Sequence, residues 1–284
     1  MIIDFHTHVF PPQIKKNRNK YIDSDPCFAI LYSDKDAKLA TTDELIDSMD
    51  KAGVDISVIL NIGWTTHELC VETNDYILES IARYPDRLVG FCSVQPRSLH
   101  AALDELERCV KGGIKGVGEI RPDIQLLDLY DEELMDPFTD ILKKHNLILL
   151  IHSSEPVGHI YSGKGAVTPE VLYPFIANHP ELTIVCSHWG GGLPFYALMP
   201  EVRKIMPNVY FDTAASPFLY SPQIYGQVAA IAGSDKILLG SDYPLLAQER
   251  LIKEIESLDL PGETKNQILA GNAQRLLGIT DKAN

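Results

Sequence analysis

His6 and His8 flank a single threonine in the opening run Ile-Ile-Asp-Phe-His-Thr-His. If that segment is a strand, alternate side chains point the same way and the two imidazoles share a face, where they can chelate one metal. The same pattern, a polar residue closing an apolar run, returns at His152 after Leu-Ile-Leu-Leu-Ile, at His188 after Thr-Ile-Val-Cys-Ser and at Asp242 after Leu-Leu-Gly-Ser. Stepping back in twos gives Leu150 and Ile148, Cys186 and Ile184, and Gly240 and Leu238, apolar faces expected to fill an interior. Histidines and an aspartate gathered at one edge are costly unless something pairs them, and neutral imidazoles with a carboxylate are ligands of zinc, manganese or iron.

Glu119 closes Gly116-Val117-Gly118 in the same phase, and a carboxylate there either bridges two metals or pairs with Arg121. Lys115 is expected on the same inward face a layer deeper, and is not read as a carbamylated bridge. His100, His145 and His179 fall in or beside helical segments and His67 has no strand context, so all four are left outside the site. Substrate contacts are expected from loops that follow the strands: Trp64, Arg121, Gln125, His159 and Trp189. Arg121 is either the carboxylate anchor of this set, because its planar fork pairs with that group bidentately, or the partner of a neighbouring Asp or Glu.

Positioning these residues at one edge requires a particular architecture. Short runs rich in Val, Ile, Leu and Phe predict strands at 2–8, 56–62, 88–94, 114–120, 147–152, 182–188, 209–213 and 237–242. Segments of helical period follow them at 42–52, 71–84, 99–111, 132–145, 169–178, 193–206, 222–232 and 247–257, and an extra helix at 263–277 closes the chain. Thr41 with Glu44 forms a capping-box pattern at the first helix, and Gly53 lies just past its end. Strand-then-helix units without a linker predict a single α/β domain over 1–284, a (β/α)8 TIM barrel whose active site lies at the C-terminal ends of the strands. The connection 9–40 is far longer than the usual ~2–6 residues and is either a lid over the barrel mouth or the arm of a homodimer.

Composition narrows the partners. With 25 Lys and Arg against 39 Asp and Glu the net charge is −14, and no basic tract offers a face to nucleic acid. Apolar runs fall short of a membrane span and no signal-peptide pattern opens the chain, so a cytoplasmic protein acting on a small molecule is expected. Five widely spaced cysteines without a C-x-x-C read as reduced thiols of the core. No glycine-rich phosphate loop follows the first strand.

The strand-end pattern resembles the metal-dependent amidohydrolase superfamily. Within it, I-D-F-H-T-H, S-H-W-G-G-G, L-G-S-D-Y-P and the closing G-N-A-Q-R-L-L-G are most similar to the amidohydrolase-related group, which includes aminocarboxymuconate-semialdehyde decarboxylase and many TIM-barrel hydrolases. The resemblance implies His6, His8 and Asp242 on one ion and His152 and His188 on a second, with Glu119 between. Decarboxylases of the group use one metal and lack the strand-four carboxylate, so Glu119 tilts the expectation to a two-zinc hydrolase of a carboxylate-bearing amide, lactone or ester. Asp242 would then shuttle the proton of a metal-activated water. The alternatives are a non-oxidative decarboxylase in which His188 handles the proton, and a metal-free binding or scaffold barrel.

Overall fold

The computed structural model describes residues 1–279. Eight parallel strands follow one another in sequence order: β1 Ile3–His8, β2 Ile56–Leu60, β3 Leu88–Cys92, β4 Gly116–Ile120, β5 Ile148–Ile151, β6 Thr183–Cys186, β7 Val209–Asp212 and β8 Ile237–Leu238. The sheet returns on itself through Phe5 N–H to the Leu239 carbonyl at 2.7 Å and Asp242 N–H to the His6 carbonyl at 2.9 Å, which makes a (β/α)8 barrel. Side chains of Ile3, Phe5, Val58, Phe91, Leu150 and Leu238 meet in one buried cluster, joined by Ala273 and Leu277 of the C-terminal helix. A second, larger cluster packs the outward faces of the strands against the helices.

Local sequence chemistry accounts for most element ends. Thr41 and Glu44 form the reciprocal capping box of helix Thr42–Ala52, and Gly53 ends it at φ 72°, a left-handed conformation that favours glycine. The segment expected as one helix over 193–206 is instead a 3₁₀ stretch, Leu193–Leu198, followed by the short helix Pro200–Lys204. Pro200 explains the break, since it has no N–H to donate into a continuing helix. The closing helix is continuous as expected but passes through a π-turn at Gln267–Gly271.

Two inward phases differ from the expectation. Cys186 and Ile184 lie in the outer, helix-facing cluster, whereas Val185 faces the interior. His188 therefore does not continue the phase of β6; it is re-aimed by left-handed backbone at His188 and Trp189, with φ 54° and 59°. On β4, Lys115 precedes the strand and is exposed, and Val117 lies in the outer cluster, so Glu119 turns inward out of the phase of Val117, across the register shift between Val117 and Ile120. On β1 the register against β2 shifts between Asp4 and Thr7, which brings His6 and His8 inward after Ile3 and Phe5.

The long connection after β1 is structured. Helices Pro12–Lys16, Arg18–Ser24 and Pro26–Tyr32 bury Phe10, Ile14, Tyr21, Phe28 and Tyr32 in a third apolar cluster centred on Trp64. Among the described residues no helix is long and apolar enough to cross a membrane. All five cysteines are buried and free.

Candidate active site

His6 is fully buried, and its Nδ1–H donates to Asp212 Oδ2 at 2.8 Å. That bond orients the ring so that Nε2 faces His8 Nε2 at 3.0 Å. Burial would lower the His6 imidazole, but Asp212, with Glu119 and Asp242, outweighs this and raises it to about 10. Asp242 Oδ1 lies 3.3 Å from His8 Nε2 and 3.8 Å from His6 Nε2. Asp242 occupies left-handed backbone at φ 62°, a conformation that costs an aspartate energy and aims its carboxylate back over β1. Burial would raise its carboxyl, but the hydrogen bond from His8 and the charges of His6 and His188 outweigh this and bring it down to about 2. Two imidazole nitrogens and a carboxylate oxygen thus converge toward one point, and with the protons between them released they form the donor set a divalent cation requires.

Glu119, at the end of β4, faces both halves of the site. Its Oε2 is 3.9 Å from His8 Nε2. Its Oε1 accepts from His152 Nδ1 at 2.9 Å and Ser187 Oγ at 2.8 Å, and lies 3.3 Å from His188 Nε2. Ligand atoms of His6, His8 and Glu119 lie within 4.8 Å of one another, as do those of Glu119, His152 and His188. Burial opposes ionisation of Glu119, yet His152, His188 and His6 hold its carboxyl well below the ordinary range. His152 is pushed down to about 4 by burial and by the charge of Arg121. His188 is raised to about 9, because Glu119 outweighs the burial that would lower it. Its Nδ1–H donates to the Ala214 carbonyl at 3.1 Å, leaving Nε2 toward the cavity.

Asp212 was not anticipated from the sequence. It is fully buried at the end of β7, and besides holding His6 it accepts His188 N–H at 2.9 Å and Ala214 N–H at 3.0 Å through Oδ1. The signal was available, since Val-Tyr-Phe-Asp repeats the polar-tip pattern of the other strands. Asp212→Asn should weaken divalent-metal affinity by about 10–100-fold, the usual effect of losing the carboxylate that orients a ligating histidine. Metal titration of the folded variant checks this; wild-type affinity would show that His6 needs no such support.

The expected substrate contacts separate into two groups. Arg121 and His159 line a cavity of about 510 Å³ above His8, Glu119, His152, His188 and Asp242. Trp64 does not reach it: fully buried, it stacks on Phe28 and donates Nε1–H to Asn61, pinning the insertion to the barrel. Trp189 is likewise buried, against Tyr225, with its Nε1–H on Ser216 Oγ. Gln125 is a tie between loops, donating to the Trp64 and Val94 carbonyls and accepting Arg121 N–H. In each case the residue's large apolar body or its hydrogen-bonding capacity is satisfied inside the scaffold. Tyr32, Asp34, Asp36 and Lys38 of the insertion complete the cavity wall, so this segment covers the barrel mouth.

The sequence profile of the family described as Amidohydrolase matches residues 3–279. The chain belongs to the amidohydrolase family. This amidohydrolase is 24% identical to 2-amino-3-carboxymuconate-6-semialdehyde decarboxylase of Dictyostelium discoideum, over 98% of this chain and 91% of that protein. It is also 24% identical to gamma-resorcylate decarboxylase of a Polaromonas species, over 75% and 77% of the two chains. Among solved structures, 5-carboxyvanillate decarboxylase of Novosphingobium aromaticivorans, complexed with manganese and 4-hydroxy-3-methoxy-5-nitrobenzoic acid, shares the fold at a TM-score of 0.80. The two are 19% identical, and the match covers 98% of this chain and 96% of that one.

These comparisons correct the expectation of hydrolysis, because the curated relatives are named as decarboxylases. The physical reason is visible at Glu119, the residue from which hydrolysis was inferred. Its Oε1 is occupied by donors from the protein itself, so a carboxylate on strand four does not imply a hydrolytic pair of ions.

Proposed function

We propose that this amidohydrolase is a metal-dependent, non-oxidative decarboxylase of a small aromatic or otherwise unsaturated carboxylic acid. The observation that carries the reading is the setting of His188. Ala214 fixes its Nδ1–H and Asp212 fixes its backbone, which places Nε2 at the cavity wall with Glu119 Oε1 at 3.3 Å as its resting partner, the bond it exchanges for the substrate carbon. The names of the curated relatives support the same reaction class.

His6, His8 and Asp242, with Glu119 Oε2, would hold one divalent ion, and their mixed nitrogen and oxygen donors suit manganese or zinc. Manganese is the first choice, being the ion bound in the structural neighbour. One ion suffices in this reading because Glu119 Oε1, His152 and His188 are committed to one another. When bound, the ion would supply positive charge that orients the substrate's oxygens. Protonated His188 gives the proton on Nε2 to the carbon that bears the carboxylate. The bond to the carboxyl carbon then breaks, its electron pair stays with the skeleton, and CO2 leaves. Solvent returns the proton to His188. Asp242 serves as a ligand here, and its role as shuttle for an attacking water goes with the hydrolytic reading. Leu31, Tyr32, Phe218 and Leu219 on the cavity wall suit a flat, apolar skeleton.

The test uses chelator-stripped protein reloaded with manganese or zinc and offered a panel of aromatic and dienoic acids in D2O. The expected outcome is about one bound ion per chain, with CO2 release matched by one deuterium at the vacated carbon. Loaded enzyme that releases no CO2 from any member would overturn the reading, and two ions per active chain would overturn the single-ion part of it.

A further inference from the structure

Asp242 reaches the metal-ligand set from a segment with little strand to hold it. β8 spans only Ile237–Leu238, and Asp242 itself sits in left-handed backbone at φ 62°. The restraint comes from a side chain on β1. Asp4 is 1% exposed, and both of its oxygens are filled. Oδ1 accepts the N–H of Ser241 at 2.9 Å and the N–H of His6 at 3.3 Å. Oδ2 accepts the Ser241 hydroxyl at 2.5 Å and the Gln248 amide at 2.8 Å. Ser241 Oγ in turn accepts the N–H of Tyr243 at 3.0 Å.

The residues on either side of Asp242 are therefore tied to one carboxylate, Ser241 directly and Tyr243 through the Ser241 hydroxyl. The same carboxylate holds the backbone of His6. Tyr243 passes the connection on, because its carbonyl accepts the N–H of His8 at 2.7 Å. Gln248 steadies Asp4 from behind and also donates to Ser57 Oγ on β2 at 3.1 Å. Asp4 is not part of the cavity wall, so whatever it does at the site it does through these neighbours. Ligands that already stand at the right spacing need not be ordered when an ion binds, and left-handed backbone at an aspartate persists only where its surroundings hold it.

We propose that Asp4 is a positioning residue of the metal site, joining β1 to the turn after β8 and so setting the spacing between the imidazoles of His6 and His8 and the carboxylate of Asp242. This role rests on the ligand set proposed above, which His6→Ala tests separately, and its readout is metal binding rather than CO2 release.

Manganese affinity is measured on chelator-stripped protein by competition with a fluorescent chelator, beside the melting temperature of the metal-free form. Asp4→Ala and Ser241→Ala should each weaken manganese binding by about 10–100-fold, the usual effect of losing a group that orients ligands. The double variant should be little worse than the weaker single one, because both changes cut one connection. Asp4→Asn should keep most of the affinity, since its amide oxygen can still accept the two N–H groups and Gln248 can turn its unpartnered Oε1 toward the new amide. Ser57→Ala removes a hydrogen bond from the same network without touching Asp4, and should lower the melting temperature while leaving affinity unchanged. If Ser57→Ala weakens binding as much as Asp4→Ala does, the effect is general loosening of the barrel and the proposal is overturned. If folded His6→Ala binds manganese as tightly as wild type, the ligand set fails and the role of Asp4 falls with it. If His6→Ala loses the ion while folded Asp4→Ala and Ser241→Ala keep wild-type affinity, the ligand set stands and the role of Asp4 alone is overturned.

Discussion

His6→Ala should leave the barrel folded while stripping it of metal and of activity. Among the described residues, His6 and His8 bring the two imidazole nitrogens that converge with Asp242 Oδ1, and one oxygen of Asp212 holds the His6 ring there. Removing the ring deletes a ligand outright, so the loss of metal affinity should exceed the ~10–100-fold that follows when only an orienting partner is lost. The variant also leaves Asp212 Oδ2 buried without its donor, a destabilisation of about 1–3 kcal/mol that a barrel of this size tolerates. Metal-to-protein ratio, circular dichroism and CO2 release measured on one preparation decide the matter. Full metal occupancy in the folded variant would remove the His6 and His8 pair from the ligand set.

What the sequence disclosed and what it hid follow from the range of the interactions involved. Strand order and the polar tips were legible because each depends on a few neighbouring residues: an apolar run, a period of two, and a histidine or aspartate at its end. Phase was legible only while the backbone stayed extended. It held for His152 behind Leu150 and Ile148, and failed for His188, where left-handed backbone turns the side chain out of the phase of Cys186. The partners of the second ring nitrogens were hidden because they lie across the barrel. His6 meets Asp212 at a separation of 206 residues, and nothing local at either position announces the other. Trp64 and Trp189 illustrate a different failure. An aromatic residue just past a strand suits a cavity wall, but also suits the seam between a loop and the barrel, and only packing distinguishes the two.

Energy spent on geometry clusters where the chemistry is proposed. His188, Trp189 and Asp242 all hold left-handed backbone, a conformation that costs a residue other than glycine of order 1–3 kcal/mol. Asp212 receives two backbone N–H groups, one of them from His188 itself, and so secures the turn that presents this imidazole. Such expenditure is unneeded for a scaffold barrel and is consistent with a site whose side chains must be aimed within a narrow tolerance.

That aiming bears most directly on His188, and His188→Gln should lower kcat by about 10²–10⁴-fold, the effect of removing a positioned general acid. Glutamine keeps comparable reach, and its amide can still donate toward Glu119, but it cannot surrender a proton to carbon. Because the proposed ion sits on His6, His8 and Asp242, metal content should stay at the wild-type level and KM should change far less than kcat. The pattern separates the roles open to this residue. Loss of metal together with activity would make His188 a ligand, as in the two-ion arrangement with Glu119 and His152. Near-wild-type turnover with metal retained would instead assign the proton to another group. The expected result, metal bound and deuterium incorporation slowed in step with CO2 release, ties the single imidazole fixed by Ala214 to the protonation of carbon.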